Sequence, residues 1–299
     1  MGTPRATPLS LHRIVDLVAE LHRRVHVVRS LHALPFALTG VLWASGGLPS
    51  TGTLALVVFI VIFGRGLATS LLRFFRAPAD VANPESPAEA RTSQAVPRPV
   101  WAAFAFHAAA FLIFLSYQLN ELSGHLSWFV CVGLVVHAAI RRFTGLTHFL
   151  VGLGLAGAPI GGWVATRGAL TGDAWPIALF GAATLFWAAG LDMVYSLLAP
   201  VDAPEHGFQR PPWLTPSWVI RLAQAAQITS LLLFGMALGS YLAKPVAVAT
   251  TATVAILLVA SRISLGSEHA PTIRRRFFWL QFGVGPALLA GTVIHLALL

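Results

Sequence analysis

Arg65 lies inside an apolar run, and beyond it Leu72, Arg76 and Asp80 follow at intervals of four. On a continuous helix those three share one face, so a guanidinium and a carboxylate would point the same way. An ionisable group within a membrane span is costly and usually has a partner or a task. At about 1.5 Å per residue, Arg65 sits roughly 17 Å before Arg76, close to mid-membrane. Two readings of Arg65 are open. It is a fork for an anionic head group such as diphosphate, or it forms an internal ion pair, with Asp192 as the partner. Arg141 and Arg142 close another apolar run, where adjacent arginines serve either as topology signals or as anion ligands. Only 11 acidic residues exist in the chain. Those near the same membrane face are Asp80, Glu85, Glu89, Asp192, Asp202 and Glu205.

The elements that must position these groups follow from composition. With 56% hydrophobic and 10% charged residues over 299 positions, and a mean hydropathy of +0.74, the chain is an all-α, multi-pass membrane protein rather than a soluble globule. Apolar runs long enough to span a bilayer fall at nine places. They lie near 31–48, 53–75, 100–118, 125–141, 146–166, 174–198, 217–240, 245–262 and 277–298. Residues 1–30 form a separate segment, with Leu11, Ile14, Val18, Leu21 and Val25 at helical spacing among basic residues. It is expected to lie as an amphipathic helix on the membrane surface. Residues 31–299 make a single transmembrane domain. Of the 20 Lys and Arg, all but Arg65, Arg167 and Lys244 fall at the N-terminus and in alternate connections. That bias orients the N-terminus inward and the C-terminus outward across the cytoplasmic (inner) membrane. The net charge of +9 is thereby a matter of topology and anionic lipid, and no nucleic-acid partner is implied. Pro78 biases Ala77 away from helical geometry, so Asp80 is expected to leave the face of Leu72 and Arg76. The single cysteine, Cys131, excludes an intrachain disulfide.

Several stretches resemble the UbiA-type intramembrane aromatic prenyltransferases, in particular the 4-hydroxybenzoate polyprenyltransferase-like branch. They are residues 29–38, Gly64 through Asp80, Arg141 through Thr144, Gly145 through Trp163, and Phe186 through Tyr195. The resemblance implies a nine-helix bundle with a cytoplasm-facing cavity. It also implies ionisation of a prenyl diphosphate by magnesium held on two aspartate-rich motifs, aided by basic residues. The first motif has the pattern Asn-Asp-x-x-Asp-x-x-x-Asp, and its positions read Leu72, Arg73, Arg76 and Asp80 here. The second begins with Asp192 and Tyr195, but its later acidic positions read Ala199 and Ala203. Asp80, Asp192 and Tyr195 are thus the residual motif positions, while Arg65, Arg141 and Arg142 keep the diphosphate-binding charges.

With most acids gone, the expectation is a catalytically degenerate protein without a cofactor. It would bind a lipid, isoprenoid or quinone and serve as an accessory subunit among other membrane proteins. Arg76 is expected to pair with Asp192 in place of the metal. The alternative is an active aromatic polyprenyltransferase of quinone biosynthesis that uses Mg2+ at an altered diphosphate site. Two smaller features complete the reading. His148 is expected to be a helix-packing residue, and Gly152, Gly154, Gly157, Gly161 and Gly162 to permit close helix approach.

Overall fold

In a computed structural model the chain is described over residues 32–82, 97–140, 147–198, 215–265 and 270–299, with the side chains of 76–82, 198 and 270–274 outside that description. These residues form ten helices and, among them, no strand. They are α1 (Leu34–Ser45), α2 (Thr51–Ala82), α3 (Arg98–Leu119), α4 (Glu121–Ile140) and α5 (Thr147–Arg167), then α6 (Trp175–Leu198), α7 (Pro216–Tyr241), α8 (Lys244–Ser264), α9 (Ala270–Phe282) and α10 (Val284–Ala297). Among the described residues eight spans are long and apolar enough to cross a membrane, one of them running from Arg275 through α10 to Ala297.

Helix starts and stops follow local chemistry. Pro35, Pro99, Pro216 and Pro245 stand in the first turns of α1, α3, α7 and α8, where the missing N–H costs nothing. Gly46 ends α1 at φ 62°, a left-handed turn in which its N–H donates to Leu42 O at 3.0 Å. Asn120 breaks the chain between α3 and α4. Its Oδ1 accepts from the Ser123 N–H at 2.8 Å and so caps α4, while its Nδ2 donates to Val164 O at 2.9 Å.

Three features depart from the sequence reading. The described helix α1 has 12 residues, about 18 Å of rise against a hydrocarbon core of about 30 Å, so by itself it covers only part of the depth given to the 31–48 run. The last apolar run is two helices parted at Gly283. Pro286, just beyond, has no N–H to give to Phe282, which weakens the ladder at that point. By contrast α2 continues through Pro78 to Ala82. Its backbone keeps Asp80 in helical register with Leu72, because proline's own φ fits a helix and its penalty is confined to one lost bond and a local bend.

The bundle closes in a circuit. α6 packs between α5 and α7, α7 meets α8, α8 meets α9 and α10, and α10 returns to α1, which also lies along α5. α2 packs on α3 and α4, and α4 touches α5. The main core gathers Phe36, Trp43, Phe180, Trp187, Phe234 and Leu288 from four of these helices. A smaller core joins α2, α3 and α4 through Leu67, Leu71, Ala105, Ala108 and Ala138.

The α1–α5 crossing is backbone on backbone. A Cβ on Gly40 would run into the carbonyl of Pro159, and one on Gly162 into that of Ala37. Gly152 meets the carbonyl of Leu185 on α6 in the same manner. Gly154, Gly157 and Gly161 have nothing within 4 Å of the Cβ position. Those three are not contact glycines, because the helical phase turns them away from both neighbours.

Candidate functional site

The candidate site lies in the arginine-rich half of the bundle and is organised by α6. Trp187 is fully buried there, and its Nε1 donates to Gln281 Oε1 on α9 at 2.7 Å. Gln281 Nε2 donates in turn to Ser261 Oγ on α8 at 2.9 Å, and Ser261 donates to Leu258 O at 2.8 Å. This chain satisfies three polar groups in a water-poor interior and fixes α6, α8 and α9 to one another.

Against Trp187 stands His32, in the turn ahead of α1. Its ring centroid lies 5.3 Å from that of Trp187, 5.0 Å from Phe282 and 6.1 Å from Phe278. His32 Nε2 is buried with no hydrogen-bond partner among the described residues. Burial, helped by the Arg65 guanidinium, lowers the His32 pKa to about 4, so the imidazole is neutral at physiological pH. Arg65 itself is exposed at the surface of α2 yet acts electrostatically on this buried ring.

Five residues past Trp187, Asp192 Oδ2 accepts from His148 Nδ1 at 2.8 Å. The two side chains keep 16% and 18% of their surface exposed, enough for a ligand to reach them. His148 is the second residue of α5, and the Gly152 contact brings α5 against α6 one turn further on, so that the pair meets across that seam. This corrects the expectation for His148. It is a hydrogen-bonded partner of the one acid that the second motif retains, not a residue that merely fills space. Asp192 engages further groups as well. Tyr195, one turn on, sets its ring 5.6 Å from that of Phe277 on α9, and it too makes additional contacts.

The described structure thus places Arg65 by His32, and Asp192 by His148. The side chains of Arg76 and Asp80 lie outside it, as do Arg141 and Arg142, so the Arg76–Asp192 pairing and the arginine doublet fall beyond the described residues. Sequence reasoning passed over His32 and Gln281. The signal available was polarity alone, an imidazole and an amide in apolar surroundings that each need a partner.

Magnesium takes about six oxygens in near-octahedral array. Among the described residues no three His, Cys, Asp or Glu side chains gather, and Asp192 already shares an oxygen with an imidazole. Of the acids near this face, Asp192 alone has its side chain among the described residues, and Asp80, Glu85, Glu89, Asp202 and Glu205 lie outside them.

The chain matches the UbiA prenyltransferase family over residues 33–283 and belongs to it. Its fold resembles the apo structure of a UbiA homolog from Aeropyrum pernix K1, with a TM-score of 0.74 at 21% identity over 89% of this chain and 97% of that one. A structure described as digeranylgeranylglyceryl phosphate synthase in membranes aligns with a TM-score of 0.71 at 14% identity, over 95% of this chain and 100% of that one. At such identities the likeness establishes the fold and no more. No functionally curated protein is detectably similar in sequence.

Proposed function

We propose that this UbiA-family protein holds an isoprenoid or quinone-type lipid without transferring a prenyl group, and that it serves as an accessory subunit of a membrane complex in the cytoplasmic membrane. The observation that carries this reading is the His148–Asp192 contact. Ionising a prenyl diphosphate requires the leaving group's charge to be neutralised, and in this family that duty falls to metal-bound aspartates. Here the second motif's remaining carboxylate is engaged by an imidazole, and Arg73 and Arg76 replace acids of the first. In the same reading Arg76 pairs with Asp192 and takes the place of a metal bridge. Arg65, Arg141 and Arg142 supply positive charge toward a strongly polar head group.

Those three arginines are also what favours the alternative, an arginine-assisted aromatic prenyltransferase. One assay separates the two. Purified protein in nanodiscs receives Mg2+, a polyprenyl diphosphate and 4-hydroxybenzoate, and prenylated product is measured by mass spectrometry. The expected result is no product above that of empty nanodiscs. Product that depends on the protein and disappears in Asp192→Asn would establish the alternative.

A further inference from the structure

Resting on the lipid-holding reading, we propose that the His148–Asp192 couple is a hydrogen-bond acceptor for the hydroxyl group of a bound isoprenoid. A carboxylate only accepts, so the 2.8 Å contact to Asp192 Oδ2 requires the proton to be on His148 Nδ1. In the neutral imidazole that leaves Nε2, on the far side of the ring, with a lone pair and no proton. Among the described residues Nε2 makes no hydrogen bond, and the side chain keeps 16% of its surface open. An ether or ester offers this nitrogen nothing to accept, and a diphosphate brings oxygens that repel both the lone pair and the neighbouring carboxylate. A hydroxyl supplies the missing donor. The Asp192 charge makes Nε2 a better acceptor and keeps the ring from turning over. The selected ligand is then an isoprenoid bearing a free hydroxyl, whether an alcohol at the end of the chain or a phenol on a prenylated ring. No bond is made or broken.

The test offers the full-length protein in nanodiscs two equimolar pairs, geranylgeraniol with its methyl ether and geranylgeranyl hydroquinone with its dimethyl ether. Retained lipid is quantified by extraction and mass spectrometry and corrected for uptake by empty nanodiscs. In at least one pair the hydroxyl form should be enriched about tenfold, which corresponds to about 1.4 kcal/mol, and the pair with the larger ratio identifies the source of the hydroxyl. His148→Phe should bring that ratio to about one, whereas His148→Gln, whose amide oxygen still accepts, should keep part of it. Asp192→Leu, which frees the tautomer, should give an intermediate value. Melting temperatures of the variants confirm that they are folded. A ratio near one in both wild-type pairs overturns the proposal, as does a ratio that His148→Phe leaves unchanged, or tighter retention of geranylgeranyl diphosphate than of either hydroxyl lipid. These outcomes differ from failure of the lipid-holding reading, which would appear as prenylated product.

Discussion

The two ends of the bundle use polar side chains differently. At the arginine-poor end several are spent on backbone. Tyr241 OH donates to Trp43 O at 2.8 Å, Arg167 Nε to Ala44 O at 2.7 Å, and His295 Nδ1 accepts from the Ala243 N–H at 3.2 Å. Asn120 reaches Val164 O, and Arg167 also lies over the Trp163 ring. Each of these bonds ties a turn or helix end to its neighbour. In the arginine-rich half the polar groups of the candidate site face other side chains. His148 meets Asp192, Trp187 meets Gln281, and His32 Nε2 has no hydrogen bond among the described residues. Backbone ties hold a fold shut, whereas side-chain couples with a spare atom can serve a ligand. The first end is a fastening and the second holds the candidate site.

The largest effect expected from breaking this contrast is at Trp43, which is 1% exposed, donates from Nε1 to Thr292 Oγ1 at 3.0 Å and stacks on Tyr241 at 4.5 Å. Trp43→Ala should cost about 3–5 kcal/mol through the cavity it opens, read as a fall in melting temperature in detergent. The hydroxyl-to-ether ratio of whatever folded protein remains should not change. A variant that keeps its stability and loses lipid selectivity would reverse the assignment of the two ends.

Gln281→Leu comes next. It leaves the buried Trp187 N–H without an acceptor, which should cost about 1–3 kcal/mol. Gln281→Leu combined with Trp187→Phe should recover part of that loss, because the stranded donor is gone. If the double variant is no more stable than the single one, the cost lies in packing and the chain of hydrogen bonds is not what joins α6 to α9. Tyr241→Phe is smaller, about 1 kcal/mol for one hydrogen bond. Paired with His148→Phe, it separates the ends cleanly. The first should lower the melting temperature without altering lipid selection, and the second should do the opposite.

How much of this was legible in the sequence depends on the range of each interaction. The long apolar runs reproduce α3 to α8, and the start of α2, to within a few residues, because spanning length and hydropathy are properties of a segment alone. The break at Gly283 and the shortness of α1 depend on neighbours. α1 packs on α5 through backbone contacts and on α10 where Gly285 meets Phe36 and Pro35, and no window of its own residues reports either. The acids lost from the two motifs were visible position by position. The His148–Asp192 couple was not, since 44 residues separate the two and only the register of α5 against α6, set at Gly152, brings them together. The same register explains why Gly152 and Gly162 are contacts while Gly154, Gly157 and Gly161 are not.

His32 gives the smallest effect at neutral pH and the sharpest dependence on acid. Its pKa is lowered from 6.5 to about 4 in the folded protein, by burial first and by Arg65 second. A base whose folded pKa lies below its unfolded one contributes its full stability above the unfolded value. It then loses that contribution as pH falls through 6.5 toward 4, because the unfolded chain takes up the proton first. His32→Phe keeps an aromatic ring beside Trp187 and Phe282 and removes the buried nitrogen, so near pH 7.5 its melting temperature should lie close to that of the wild type. Between pH 6.5 and 4 the wild type should lose stability faster than the variant, and the difference between their melting temperatures at each pH isolates this one group from the other titrating residues. Arg65→Gln should shrink the wild-type loss and end it at a higher pH, because without the secondary cause the folded pKa rises while burial remains. Parallel curves for wild type and His32→Phe would mean that the imidazole titrates normally, and the arginine-rich half would then have no buried nitrogen held neutral beside its site.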